Sequence, residues 1–148
     1  MLGAGTGNLT IQVDDYRQGK THVTYDFTIM TEAILHLVQG SYLVVEFPSD
    51  YPNIPSPICT NCEGLSFANC DSTSQPGKIL VGYSQSSDLY TNTFRVCIHN
   101  VENPDYAGTM PAITVAFWDQ NTNPILAYPI VSASVTILEQ DSTSFHNF

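Results

Sequence analysis

The feature that most constrains this chain is an alternation of apolar and polar residues at a spacing of two. Leu9, Ile11 and Val13 alternate with Thr10 and Gln12, and Val23, Tyr25, Phe27 and Ile29 alternate with Thr24, Asp26 and Thr28. Successive side chains of an extended strand point to opposite faces, so this pattern buries one face of a sheet and wets the other. Tyr42 to Phe47 reads as a strand of aromatic and β-branched residues. It is closed by Pro48-Ser49-Asp50-Tyr51-Pro52-Asn53, where proline fixes φ and Asp and Asn supply turn chemistry. Further strands are expected at 78–83, at 93–99 with Phe94, Val96 and Ile98 on one face, and at 112–118, 126–130 and 133–138. Only Thr31 to Val38 offers two turns of helix, with Thr31 as N-cap and Gly40 as stop, and the same stretch serves equally as an irregular strand connection.

About eight or nine short strands without recurrent helical segments predict an all-β fold, a single antiparallel β-sandwich of immunoglobulin-like or Greek-key type. In this division residues 1–14 are an N-terminal arm and first strand, 15–139 the sandwich, and 140–148 a polar tail. The length of 148 residues and the 43% hydrophobic content supply one full core.

Charge narrows the partners. Four basic residues, Arg17, Lys20, Lys78 and Arg95, stand against 14 acidic ones, for a net charge of -10. So few and so scattered cations make no stripe for a phosphate backbone and no patch for an anionic membrane surface, so neither nucleic acid nor membrane insertion is expected. Hydration falls instead to 28 Ser and Thr and 10 Asn. Met1-Leu2-Gly3-Ala4-Gly5-Thr6-Gly7 has no basic n-region and no apolar h-region, so it is no signal peptide. Two readings follow, a cytosolic protein as written or a mature product or excised module of a longer secreted one; the Gly-rich start, the polar tail and the cysteines favour the second, extracellular or at the cell surface.

The cysteines agree with that compartment. Cys59, Cys62, Cys70 and Cys97 make an even count, which in an oxidising setting implies two disulfides. A zinc site is the lesser alternative, because Cys59-x2-Cys62 has no second short-spaced pair, and free thiols are the third. Cys59 and Cys62 differ by an odd number and face opposite sides of an extended segment. Each is therefore expected to pair with Cys70 or Cys97 rather than with the other.

No motif names a reaction. Asp119-Gln120-Asn121-Thr122-Asn123-Pro124 begins like a calcium loop, but Pro124 and Ile130 stand where glycine and the bidentate acid belong, so a hairpin turn explains it better. Asp14-Asp15 and Asp105 offer calcium oxygens only if the fold gathers them. His22, His36, His99 and His146 accompany no nucleophile elbow and no H-E-x-x-H pair, and are read as surface residues. No catalytic residue, metal or cofactor is assigned. Asn8-Leu9-Thr10 is the chain's one N-glycosylation sequon.

Three segments carry a resemblance: Thr24-Tyr25-Asp26-Phe27-Thr28, then Gly40 to Tyr51 with Phe47-Pro48-Ser49, then Asn100 to Pro104 followed by Ile113 to Asp119. Together they resemble the tandem immunoglobulin-like β-sandwich modules of large extracellular surface proteins, familiar from ciliates and other protists and from bacterial envelopes. The resemblance spans roughly residues 20 to 138 and implies an architecture, not an activity. It implies a Cys59–Cys70 pair, which leaves Cys62 and Cys97 as an added bridge. Asn123-Pro124 departs from the usual Gly-containing turn.

The expected function is therefore a non-enzymatic building block of a surface coat or filament. It would be assembled by strand addition between copies of itself or with tandem neighbouring modules, with residues 1–14 and 140–148 as contact arms, and it would carry glycan at Asn8. The alternative is a carbohydrate- or receptor-binding adhesin module with Tyr51, Tyr83, Tyr90 or Tyr106 as stacking platforms.

Overall fold

The computed structural model describes residues 6–52, 58–60, 67–71, 77–84 and 86–140. Eleven strands are described, in chain order β1 (Gly7–Val13), β2 (Val23–Leu37), β3 (Tyr42–Glu46), β4 (Ile58–Thr60), β5 (Phe67–Asp71), β6 (Lys78–Tyr83), β7 (Leu89–Val101), β8 (Gly108–Thr109), β9 (Ile113–Trp118), β10 (Val131–Ala133) and β11 (Thr136–Ile137). They form a four-stranded sheet in the order β1-β2-β7-β4, a five-stranded sheet in the order β10-β9-β3-β6-β5, and a small sheet of β11 and β8. Every strand pair is antiparallel, and the two large sheets pack face to face as a single β-sandwich.

The predicted alternation sets the core. Tyr25, Phe27 and Ile29 of β2 are wholly buried, as are Leu43 and Val45 of β3, Phe94, Val96 and Ile98 of β7, and Ile113 and Val115 of β9. Phe47, from the end of the predicted strand, and Tyr51, from the predicted turn, complete an aromatic cluster: Tyr25 to Phe47 is 5.8 Å between ring centres, Phe27 to Phe47 6.1 Å and Phe47 to Tyr51 5.1 Å, all edge-on. Each such pair contributes about 0.5–1.5 kcal/mol beyond the burial of its area. Gly7 sits tightly between its own sheet and β10 of the other. A Cβ there would lie 2.9 Å from the Met30 carbonyl of β2 and 3.0 Å from Val131 of β10, so any other residue would force a backbone shift.

Asn103 ties the loops at one end. Fully buried, it accepts from the Tyr25 hydroxyl and donates to the carbonyls of Asp15 and Arg17, both at 2.8 Å. Asn103 is thus a polar clamp between the 14–20 loop and the chain just beyond β7.

The segment expected at 31–38 is strand rather than helix through Leu37, the end of β2, with a bulge between Met30 and Leu35. Leu35 and Leu37 bury themselves at a spacing of two, while Ile34 points to solvent, which is the strand alternative left open above. The strand expected at 126–130 is not formed. Pro124 and Pro129 each lack a donor, and Tyr128 closes a turn by donating its N–H to the Ile125 carbonyl at 3.1 Å. The strand expected at 133–138 divides into β10 and β11. Residues 7–13 of the expected arm are spent at home, paired with β2 from Gly7↔Thr31 to Val13↔Tyr25.

Candidate functional site

β3 and β6 differ from the alternating strands, because Leu43-Val44-Val45 and Ile79-Leu80-Val81 are continuous apolar runs. Leu43, Val45, Ile79 and Val81 belong to the core between the sheets, which turns Val44 and Leu80 outward. Register places Val44 opposite both Leu80 and Ala116, Tyr42 opposite Trp118, and Glu46 opposite Thr114 and Lys78. The outer face of the five-stranded sheet therefore carries an apolar row flanked by an aromatic one and a charged one.

After Trp118 the chain turns and overhangs that face. Asp119 accepts from the backbone N–H of Asn121 at 2.8 Å and of Asn123 at 3.0 Å, while Thr122 takes φ 62°. The Asp119 carboxylate caps a hairpin turn rather than beginning a calcium loop. Pro124 bridges back to Trp118, Ile125 donates to the Phe117 carbonyl at 2.9 Å, and the turn then runs on to Ile130. Between turn and sheet lies a groove of about 470 Å³. Val44 and Ala116 floor it, Trp118 and Tyr128 wall it, and Leu126 and Ile130 stand at its lip, 84% and 71% exposed. Its charged lining residues are Glu46 and Lys78, which pair at 3.8 Å.

The outer face of the four-stranded sheet is different in kind. It presents Thr10, Thr28, Gln12 and Asn8, with Arg95 holding both carboxylate oxygens of Asp26 at 3.1 and 2.7 Å. Asn8 and Thr10 are exposed there on β1, so the sequon is open to solvent.

The other residues picked out from sequence are placed as follows. Cys97 lies buried in β7 opposite Thr60 and is disulfide-bonded, and none of the described cysteines is free. Cys59 and Cys70 lie on β4 and β5, one edge strand of each sheet; their side chains and Cys62 lie outside the described residues, and so does the expected pairing. His22 bonds Thr21, His99 bonds Thr24 at 2.7 Å, and His36 pairs with Asp88 at 2.8 Å and stacks on Tyr90 at 4.3 Å. His146 lies outside the described residues. Asp14 accepts from the Thr24 N–H and Asp15 is chelated by Arg17, whose hydrogen bonds hold the Asp15 carboxyl below its ordinary value. Among the described residues no group of acidic, His or Cys side chains is gathered for a metal.

The tyrosine platforms fare unequally. Tyr51 and Tyr83 are buried at 6% and 4% exposure and offer no stacking surface. Burial raises the Tyr25 phenol well above its usual range and pushes Tyr51 up to about 12, as expected of core hydroxyls. Tyr106 is exposed and donates to Asp50, which raises its phenol, and Tyr90 is exposed but stacked against His36.

Sequence reasoning missed the groove. Its signal was the pair of unbroken apolar runs in β3 and β6, since a strand apolar on both faces needs cover on both.

No family model and no curated protein matches the chain. Among solved structures it is similar to a cohesin module from a family 33 glycoside hydrolase of Clostridium perfringens, at 18% identity, over 92% of this chain and 99% of that one, with TM-score 0.53. It also aligns with a chain of a CaDoc0917–CaCohA2 complex, at 16% identity and TM-score 0.45, over 90% of this chain and 100% of that one. The likeness to the cohesin module is one of fold, a single antiparallel β-sandwich.

Proposed function

We propose that this protein is a non-enzymatic docking module whose groove receives the apolar ridge of a partner protein module. The observation that carries it is the exposure of Leu126 and Ile130 at the lip of an apolar groove, where two large side chains gain nothing from water and gain burial on contact. The net charge of -10 favours a partner whose ridge is rimmed by Lys and Arg, and makes association slow with rising salt. The similarity to a cohesin module from a family 33 glycoside hydrolase supports reading this chain as a module as well.

The finer part of the proposal places the module outside the cell, in a surface coat or filament of repeated contacts with copies of itself or tandem neighbours. The hydroxyl-rich composition, the Cys97 disulfide and the exposed Asn8 support that setting. Strand addition needs an open edge. The edge strands are β1, β4, β5 and β10; β4 and β10 are three residues long, Pro129 stands just before β10, and β5 has five residues, so the seven-residue β1 is the longest edge and the one that best supports it.

The test is a partner selected from secreted modules of the source organism and measured against Leu126→Asp/Ile130→Asp. Loss of at least about tenfold in affinity, with a shift of Trp118 emission on binding, is expected. A partner that binds the double variant equally well overturns the groove. Electron microscopy of concentrated protein addresses the coat, and compact monomers alone would remove self-assembly.

A further inference from the structure

β2 outruns β1. Their ladder ends at Gly7↔Thr31, with one further bond from the Glu32 N–H to the Thr6 carbonyl at 3.0 Å. β2 continues, paired on its other side with β7 through Leu35↔Thr91, His36↔Tyr90 and Leu37↔Leu89. In an antiparallel ladder, alternate residues turn both backbone groups away from the strand they face. At His36 both of those groups meet one atom. The Tyr128 hydroxyl accepts the His36 N–H at 3.0 Å and donates to the His36 carbonyl at 2.7 Å, so a phenol stands in for a rung of strand.

Tyr128 belongs to the turn that overhangs the groove on the other sheet, between the exposed Leu126 and Ile130. Its ring packs edge-on against Phe117 of β9 at 5.7 Å, and Phe117 in turn packs on Phe94 of β7 at 5.1 Å. The His36 backbone is itself held, because the His36 ring pairs with Asp88 and stacks on Tyr90. The backbone bonds of this wall at its near end are Ile125 to Phe117 and Tyr128 to Ile125; its far end rejoins the sheet only at Val131.

We propose that Tyr128 is the positioning residue of the groove: by bonding both backbone groups of His36 it pins the overhanging wall to the edge of the opposite sheet and fixes the groove's width before any partner arrives. Its bearing on binding rests on the docking role above; its hold on the wall does not. A pinned wall makes the groove selective for ridge width, because widening it requires breaking both phenol bonds.

The test is Tyr128→Phe, which keeps the ring and its contact with Phe117 while removing both bonds. Trp118, the single tryptophan, lines the groove and reports on the wall. Acrylamide quenching of Trp118 is expected to rise, and exchange of the His36 amide to accelerate by at least about fivefold, the change in opening equilibrium for one lost hydrogen bond. Amides in the centre of β3 are expected to keep their rates, which separates release of the wall from general loosening. Unchanged Trp118 quenching and unchanged His36 exchange overturn the proposal. Should the variant not fold, the unaltered protein decides: a His36 amide that exchanges as fast as that of exposed Ile34 overturns it, and a protected one sustains it. If the Leu126→Asp/Ile130→Asp protein still binds its partner while Tyr128→Phe frees the wall, the docking role falls and the pin stands.

Discussion

The two sheets of this sandwich turn opposite surfaces to solvent. Outward rows of the four-stranded sheet read Asn8–Met30, Thr10–Thr28–Arg95 and Gln12–Asp26, the last ending at the buried Cys97; those of the five-stranded sheet read Trp118–Tyr42–Gly82, Ala116–Val44–Leu80 and Thr114–Glu46–Lys78. One pleat and one core serve both. The first face closes on itself, with hydroxyls hydrated and Asp26 neutralised by Arg95. The second leaves apolar residues outward, and the chain folds the 124–130 turn over them. A strand that alternates in sequence finishes in water, whereas one that is apolar throughout commits the protein to a second layer of contact.

The sharpest way to break this contrast is to charge each face in turn. Val44 is 3% exposed on the groove floor, so Val44→Asp strands a carboxylate without a partner and is expected to cost about 3–5 kcal/mol in urea unfolding. Thr28→Asp, at the centre of the opposite face and across from Arg95, is expected to stay within about 1 kcal/mol. Equal costs would erase the distinction. At the lip, Leu126→Asp/Ile130→Asp is expected to leave stability within about 0.5 kcal/mol, because both side chains are already in water, while abolishing docking.

On the polar face, Asp26→Asn removes half of a two-bond ion pair whose side chains are 20% and 35% exposed. A loss of up to about 1 kcal/mol is expected, shrinking as salt is added. The smallest effect concerns Asp15, whose folded pKa lies below its unfolded one because Arg17 bonds the carboxylate. Its contribution is present above the ordinary carboxylate pKa and is lost as pH falls through the lowered value. Urea midpoints measured from pH 5 down to pH 2 are therefore expected to fall less steeply for Asp15→Asn than for the parent.

Much of the sandwich was legible because burial obeys a short rule. Tyr25, Phe27 and Ile29 declared their face through Thr24, Asp26 and Thr28, and the structure buries all three completely. The Asp119 turn was legible as well, since its chemistry is local. The 126–130 segment was not. Leu126, Tyr128 and Ile130 alternate as a strand does, but Pro124 and Pro129 deny it a ladder, and Tyr128 finds its partner in His36, 92 residues away. Tyr51 and Tyr83 misled for a related reason, because a tyrosine in a turn or at a strand end carries no mark of whether its ring folds inward.

What the sequence determined by itself was the period of two, the polar remainder that keeps one face wet, and the scarcity of cations. These follow from side-chain direction and charge, which are properties of neighbours in the chain. Only the tertiary structure decided that Val44 and Ala116 share a groove floor, that Tyr128 caps the edge of a strand in the opposite sheet, and that Asn103 clamps two loops. Each joins residues far apart in the chain, and such contacts are set by how the two sheets pack rather than by any local preference.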